Sequence, residues 1–262
     1  MHRKSTHLSE TFVFPVRKPR SQSGEFMEPI TSPPPNTVFV FWTGGFDSTF
    51  RVLQAVIDEG RMVQPIYLSG DIDNAPTKRV KRKNKDMELL AMQRVRKALC
   101  RSHPEACYRL HPTIIVEDIP IHSQTKRWMR TLAKQRVVRR PTCQYGSLGQ
   151  FSRYMQVPIE LGIVQDGHSN AGIYSGLKDK VHGRGRQCRL TKSALEDHPE
   201  FRLFRSLRFP LMHIDKPEMW RIADTNGYGH LMRLTWSCWY PTADGKPCNK
   251  CLMCRERILK TV

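Results

Sequence analysis

No apolar run in this 262-residue chain approaches the roughly 20 residues that a membrane-spanning helix needs. The β-branched and aromatic stretch from Thr37 to Trp42 stops at six. The opening Met1-His2-Arg3-Lys4 leads into polar residues and lacks the apolar centre of a signal peptide. A soluble, cytoplasmic protein without a membrane partner is the expectation. Acid is scarce, with 24 Asp+Glu against 43 Lys+Arg and a net charge of +19, an imbalance that favours polyanionic partners. No internal repeat is evident, and no Lys-Ser/Thr pair follows the one conspicuous glycine doublet, which excludes a Walker A loop.

What is present is enough for a core. Hydrophobic residues make up 39% of the chain, and the length suits one α/β domain with a small appendage. Residues 1–35 are rich in Ser, Pro and basic side chains and end in Ser32-Pro33-Pro34-Pro35, which predicts a flexible, proline-stiffened tail. Thr37 to Trp42 is a β-branched and aromatic run of the kind found in a parallel strand buried on both faces. Phe50, Val52, Leu53, Val56 and Ile57 then recur at helical spacing up to Gly60. Further strands are predicted at 62–68 and 112–116, and helices at 85–101, 124–138 and 147–161. Strands alternating with helices predict an α/β, doubly wound, mainly parallel sheet over residues 36–230.

Between the first strand and its helix stands Thr43-Gly44-Gly45-Phe46-Asp47-Ser48-Thr49. Paired glycines there let the backbone turn tightly and aim several N–H groups at one point on the helix N-terminus, which attracts phosphate. Thr43, Ser48 and Thr49 add hydroxyls, and Asp47 can hold a Mg²⁺ that accompanies a nucleotide. At the other end, Cys238, Cys248, Cys251 and Cys254 have the spacing of four thiolate ligands on short turns, so residues 231–262 are expected to be a small C-terminal zinc-binding subdomain with four cysteine ligands. Four protein ligands leave no open position, which makes that zinc structural.

The glycine turn resembles the pyrophosphate loop of N-type ATP pyrophosphatases. With the stretch from Phe209 to Asp224, the run Thr235-Trp236-Ser237-Cys238-Trp239-Tyr240 and the tandem Cys-x2-Cys knuckles, the chain resembles the 7-cyano-7-deazaguanine synthases. The resemblance implies an adenine nucleotide alpha hydrolase-like, Rossmann-like fold and ATP, Mg²⁺ and Zn²⁺ as cofactors. It further implies a ligase that adenylates the carboxylate of a deazaguanine and uses ammonia to make the amide and nitrile. Carried over residue by residue, Thr43, Gly44, Gly45, Phe46, Asp47, Ser48 and Thr49 bind the nucleotide, and Asp47, Ser48 and Lys216 serve catalysis. Leu68-Ser69-Gly70-Asp71 and Arg139-Arg140-Pro141-Thr142-Cys143-Gln144-Tyr145 depart from the family's pattern around the base. Asp166, His168, Ser169, Asn170 and Tyr174 would face such a pocket by their order in the chain. Three further readings stay open: transfer of the activated base to a protein or nucleic-acid amine, modification of a tRNA base, and a non-catalytic zinc-bearing nucleic-acid-binding protein. Two basic runs, 78–85 and 126–140, motivate them. A homodimer is the assembly considered.

Overall fold

A computed structural model of the chain describes residues 18–69, 83–165 and 172–258. The strands are β1 (Arg20–Ser21), β2 (Thr37–Phe41), β3 (Met62–Leu68), β4 (Ile114–Asp118), β5 (Ile159–Glu160), β6 (Val181–His182), β7 (Arg189–Leu190) and β8 (Leu207–Arg208). The α-helices are α1 (Phe46–Leu53), α2 (Lys85–Ser102), α3 (Pro104–Arg109), α4 (Ser123–Lys134), α5 (Tyr145–Met155), α6 (Ile173–Leu177), α7 (Lys192–Asp197), α8 (Lys216–Thr225), α9 (Gly229–Met232) and α10 (Leu252–Ile258). Six strands form one sheet in the order β1-β4-β3-β2-β5-β8. All neighbours in it are parallel except β1, which pairs antiparallel with β4. The chain moves outward from β2 to β3 and β4 on one side, then returns to β5 and β8 on the other. The strand order therefore reverses beside β2, the position where open α/β sheets leave a crevice for ligand.

The alternation of β2 builds both layers at once. Val38, Val40 and Trp42 point into the core shared with α1, α2, α8 and α9, while Phe39 and Phe41 point into the one shared with α4 and α5. Phe41 meets Phe151 of α5 at 6.1 Å between ring centroids. One charged cluster crosses this packing. Arg51 of α1, fully buried, donates through Nε to Glu160 of β5 at 2.5 Å and through its terminal nitrogens to Glu59 and Gln54. The pairing offsets the cost of burying the guanidinium and ties α1 to the sheet.

The predicted helices are present; that at 85–101 runs on to Ser102, while the other two start slightly earlier and end earlier than expected. α4 stops at Lys134, and Arg136 takes a left-handed backbone, φ 59°. α5 stops at Met155, with Gln156 left-handed at φ 59°, so Val157 and Ile159 belong to the entry into β5 and not to the helix. The third predicted strand lies two residues further on, at β4. Residues 18–35 are not all extended tail: β1 adds an edge strand, Met27 and Ile30 pack on the core, and the Tyr154 hydroxyl donates to the Met27 carbonyl at 2.6 Å. Cys100 and Cys107 form a disulfide that joins α2 to α3, a pair that nothing in the spacing predicts. No helix among the described residues is long and apolar enough to cross a membrane.

Candidate functional site

The turn after β2 sits at the reversal point of the sheet. Trp42 continues the ladder, its N–H donating to the Ile66 carbonyl at 2.9 Å. The chain then turns at Gly44, whose φ of 68° is open to glycine and strained for other residues. Space imposes the same residue, because a Cβ there would lie 2.7 Å from the Glu88 carbonyl oxygen and 3.1 Å from the Ala91 Cβ. The corner is thus pressed onto the first turns of α2. Gly45 is the N-cap of α1, with no side chain to satisfy the helix's first N–H groups, so those of Phe46, Asp47 and Ser48 have no intrahelical acceptor.

Around this corner the hydroxyls divide into two roles. The Ser48 Oγ lies 3.3 Å from the Thr43 Oγ1, accepts from the Thr43 N–H at 3.3 Å and reaches the Gly45 carbonyl at 3.3 Å. These long contacts are of the kind a better acceptor displaces. Thr49 differs. It is fully buried, and its Oγ1 accepts from the Trp42 indole at 2.9 Å, so it pins the helix to the strand and is committed there. Phe46 likewise turns its ring onto Trp220 of α8 at 5.2 Å, leaving only its backbone to the corner. Lys216 is the first residue of α8, behind an Asp215 cap that accepts from the Glu218 N–H at 2.9 Å. It stands one helical turn, about 6 Å of rise, before the Trp220 that touches the corner.

Three neighbours reach the corner from elsewhere in the chain. Trp236 donates its backbone N–H to the Gly44 carbonyl at 2.9 Å. Glu88, buried under Gly44, accepts from the Tyr67 hydroxyl at 2.6 Å and from the Asn84 amide at 2.9 Å, which fixes the first turn of α2 on which the corner rests. Tyr145, at the start of α5, has its pKa pushed up by burial, and the Cys143 thiol and Asp47 carboxylate lie near enough to push it further. The only signals in sequence were a Tyr at a strand end, an Asn and Glu one turn apart, and an aromatic before the first cysteine. Tyr174 packs against the core on the α4/α5 face, while Asp166, His168, Ser169 and Asn170 lie outside the described residues.

The four cysteines come together as their spacing predicts. The Sγ atoms of Cys238, Cys248, Cys251 and Cys254 all lie within 4.8 Å of one another. Tetrahedral thiolates at 2.3 Å from zinc would be ~3.8 Å apart, and Cys248 and Cys254 are at 4.0 Å, so the donor set fits such an ion. Backbone N–H groups already point at sulfur: Cys248 N–H to the Cys238 Sγ at 3.2 Å, and Cys251 N–H to the Cys248 Sγ at 3.3 Å. The backbone N–H groups of Lys250 and Cys251 pull the Cys248 thiol down to about 6, whereas burial, then Cys251 and Cys238, push Cys254 up to about 12. One thiol ionises readily and another resists, as expected of a cluster that needs a cation to hold several thiolates together.

Residues 201–259, a little under a quarter of the chain, match the family model described as Queuosine biosynthesis protein QueC. This C-terminal segment is QueC-like. It contains β8, α8, α9 and the whole cysteine cluster, and it supplies both Trp220 and Trp236 to the glycine corner. No curated protein matches the chain.

Proposed function

We propose that the chain is an ATP-dependent enzyme that adenylates the carboxylate of 7-carboxy-7-deazaguanine and converts it with ammonia to the amide and then the nitrile. One observation carries this reading. The QueC-like segment, residues 201–259, donates a hydrogen bond from Trp236 to Gly44 of the glycine corner, so it packs against the residues that would hold a nucleotide.

The chemistry follows from what a carboxylate lacks. It is a poor electrophile until one oxygen becomes part of a leaving group. Attack of a carboxylate oxygen on the α-phosphorus of ATP forms an acyl adenylate and breaks the bond to the β-phosphate, expelling pyrophosphate. Ammonia adds to the acyl carbon, and AMP leaves with the original oxygen. A second adenylation, now of the amide oxygen, lets nitrogen lose its two protons as the C–O bond breaks, giving nitrile and AMP. The N–H groups of Gly45, Phe46, Asp47 and Ser48 would take up charge developing on the departing pyrophosphate, with Thr43 and Ser48 releasing their long mutual contacts to do so. Lys216, entering from α8, would add a cation on the far side. A carboxylate beside a phosphate cradle calls for a cation between them, and Asp47 would hold Mg²⁺ there, which supplies neutralisation of the phosphate charge. Zn²⁺, held by Cys238, Cys248, Cys251 and Cys254, would supply rigidity to the strap carrying Trp236.

Incubation with 7-carboxy-7-deazaguanine, ATP, Mg²⁺ and ammonium should release AMP and pyrophosphate and give amide and nitrile masses. Folded, metal-loaded protein that releases no AMP with this substrate would refute the proposal.

A further inference from the structure

From residue 119 to residue 159 the chain holds eight Lys and Arg and not one Asp or Glu. Seven of the eight, Lys126, Arg127, Arg130, Lys134, Arg136, Arg139 and Arg140, are exposed. The helix that carries the first four has no second apolar face to hide. Thr125, Met129 and Leu132 are already buried in the core, so α4 has nothing left to insert into a lipid surface.

Elsewhere in the protein several cations are paired with acids. Lys85 pairs with Glu117, Arg109 with Glu105, Lys192 with Glu196, Arg221 with Glu218 and Lys246 with Asp244. An ordinary solvated surface mixes its signs in this way. Along α4 the mixing stops, and the buried acid near its end, Glu200, accepts from the Gln135 amide. Lys126, Arg130 and Lys134 fall at successive fourth positions and so form one ridge with ~6 Å between steps. A single-sign ridge costs stability through self-repulsion, which a polyanion would relieve.

The ridge also leads somewhere. α4 lies against α5, where a Cβ on Gly146 would be 3.3 Å from the Met129 Cγ. The connection between them carries Arg136, Arg139 and Arg140 to Tyr145 at the α5 N-terminus, near enough to the corner for the Asp47 carboxylate to act on the Tyr145 hydroxyl. We propose that α4 and residues 135–140 dock the phosphate backbone of a nucleic acid strand and guide it toward the corner after β2. Contacts of this kind position a strand without reading its bases, so RNA and DNA of equal length should bind alike. The surface stands whether or not the corner turns over ATP, and binding is therefore read without nucleotide.

The test uses the full chain, fluorescently labelled 20-nucleotide RNA and DNA, and anisotropy over a salt series. Two triple variants carry the same charge change on opposite layers of the sheet: K126Q/R130Q/K134Q on α4, and R94Q/K97Q/R101Q on α2, whose three cations are also exposed. Three lost phosphate contacts should flatten the slope of log affinity against log salt by about 2 and weaken binding at least tenfold at roughly 0.1 M salt. The α2 triple should change affinity by less than about threefold. Equal losses in the two triples, no binding by the wild type, or equally tight binding of polyglutamate of the same charge would each overturn the proposal. Should the α4 triple fail to fold, lysine acylation of the wild type gives the same decision. Bound RNA should protect Lys126 and Lys134 and leave Lys97 reactive; uniform protection, or none, counts against the surface.

Discussion

The glycine corner and the cysteine knuckle are joined by a backbone hydrogen bond from Trp236 to Gly44, yet they are held by different forces. Behind the corner stand Val40, Trp42, Phe50, Val52 and Leu53, all fully buried. Strand and helix packing would keep its shape with no ligand present. The knuckle has no such backing. Its cluster consists of Cys238, Cys251 and Cys254 with Trp236, Cys248 and Met253 at the edge, while Tyr240 and Leu252 stay more than half exposed. Closure there falls to whatever the four sulfurs hold. Apolar burial shapes one site and coordination shapes the other, and the strap at 235–238 joins them.

The largest expected effect breaks the two apart. A structural metal in so small a thiolate site is worth on the order of 10 kcal/mol. Chelation, or Cys251→Ser, should bring amide exchange over 238–254 close to that of an unfolded chain while β2 and α1 keep their protection. Loss of protection in β2 at the same metal occupancy would show that the two sites are not separately held. Glu160→Gln is next. It leaves the buried Arg51 with its partner neutralised and should cost about 3 kcal/mol in urea unfolding; a change below about 1 kcal/mol would mean that Glu59 and Gln54 suffice. Gly44→Ala imposes both a strained φ and a Cβ against the Glu88 carbonyl, and should cost about 2 kcal/mol, with α2 rather than the knuckle losing protection. Thr49→Val leaves the Trp42 indole without its acceptor inside the core and should cost about 1 kcal/mol. Unchanged stability there would return Thr49 to the nucleotide.

The same contrast explains what could be read from residues alone. The corner and the knuckle are both short motifs whose chemistry needs fixed residue types at fixed spacing, so the turn at Gly44 and the convergence of the four cysteines were legible. β2 was legible because five apolar residues in a row, Val38 to Trp42, leave few other fates. The ends of α4 and α5 were not. Arg136 and Gln156 adopt left-handed backbones without being glycine, and tertiary packing, not local preference, puts them there. The edge strand Arg20–Ser21 is two polar residues long and has no apolar signal to read. The motif groups Thr49 with the nucleotide-binding residues through its neighbours, and it carries no sign that the Thr49 hydroxyl accepts from an indole seven residues back. Trp236, Glu88 and Tyr145 reach the corner from distant parts of the chain, and a linear pattern does not reveal such proximity.

The most direct test of the account asks whether the corner binds a nucleotide through its backbone. Amide exchange or nitrogen-resolved NMR, with and without a non-hydrolysable ATP analogue and Mg²⁺, reports on the N–H groups of Gly45, Phe46, Asp47 and Ser48 individually. Slowed exchange and shifted resonances are expected at these four, with the amides of 238–254 nearly unmoved in metal-loaded protein. Saturating analogue that leaves those four amides unchanged would contradict it.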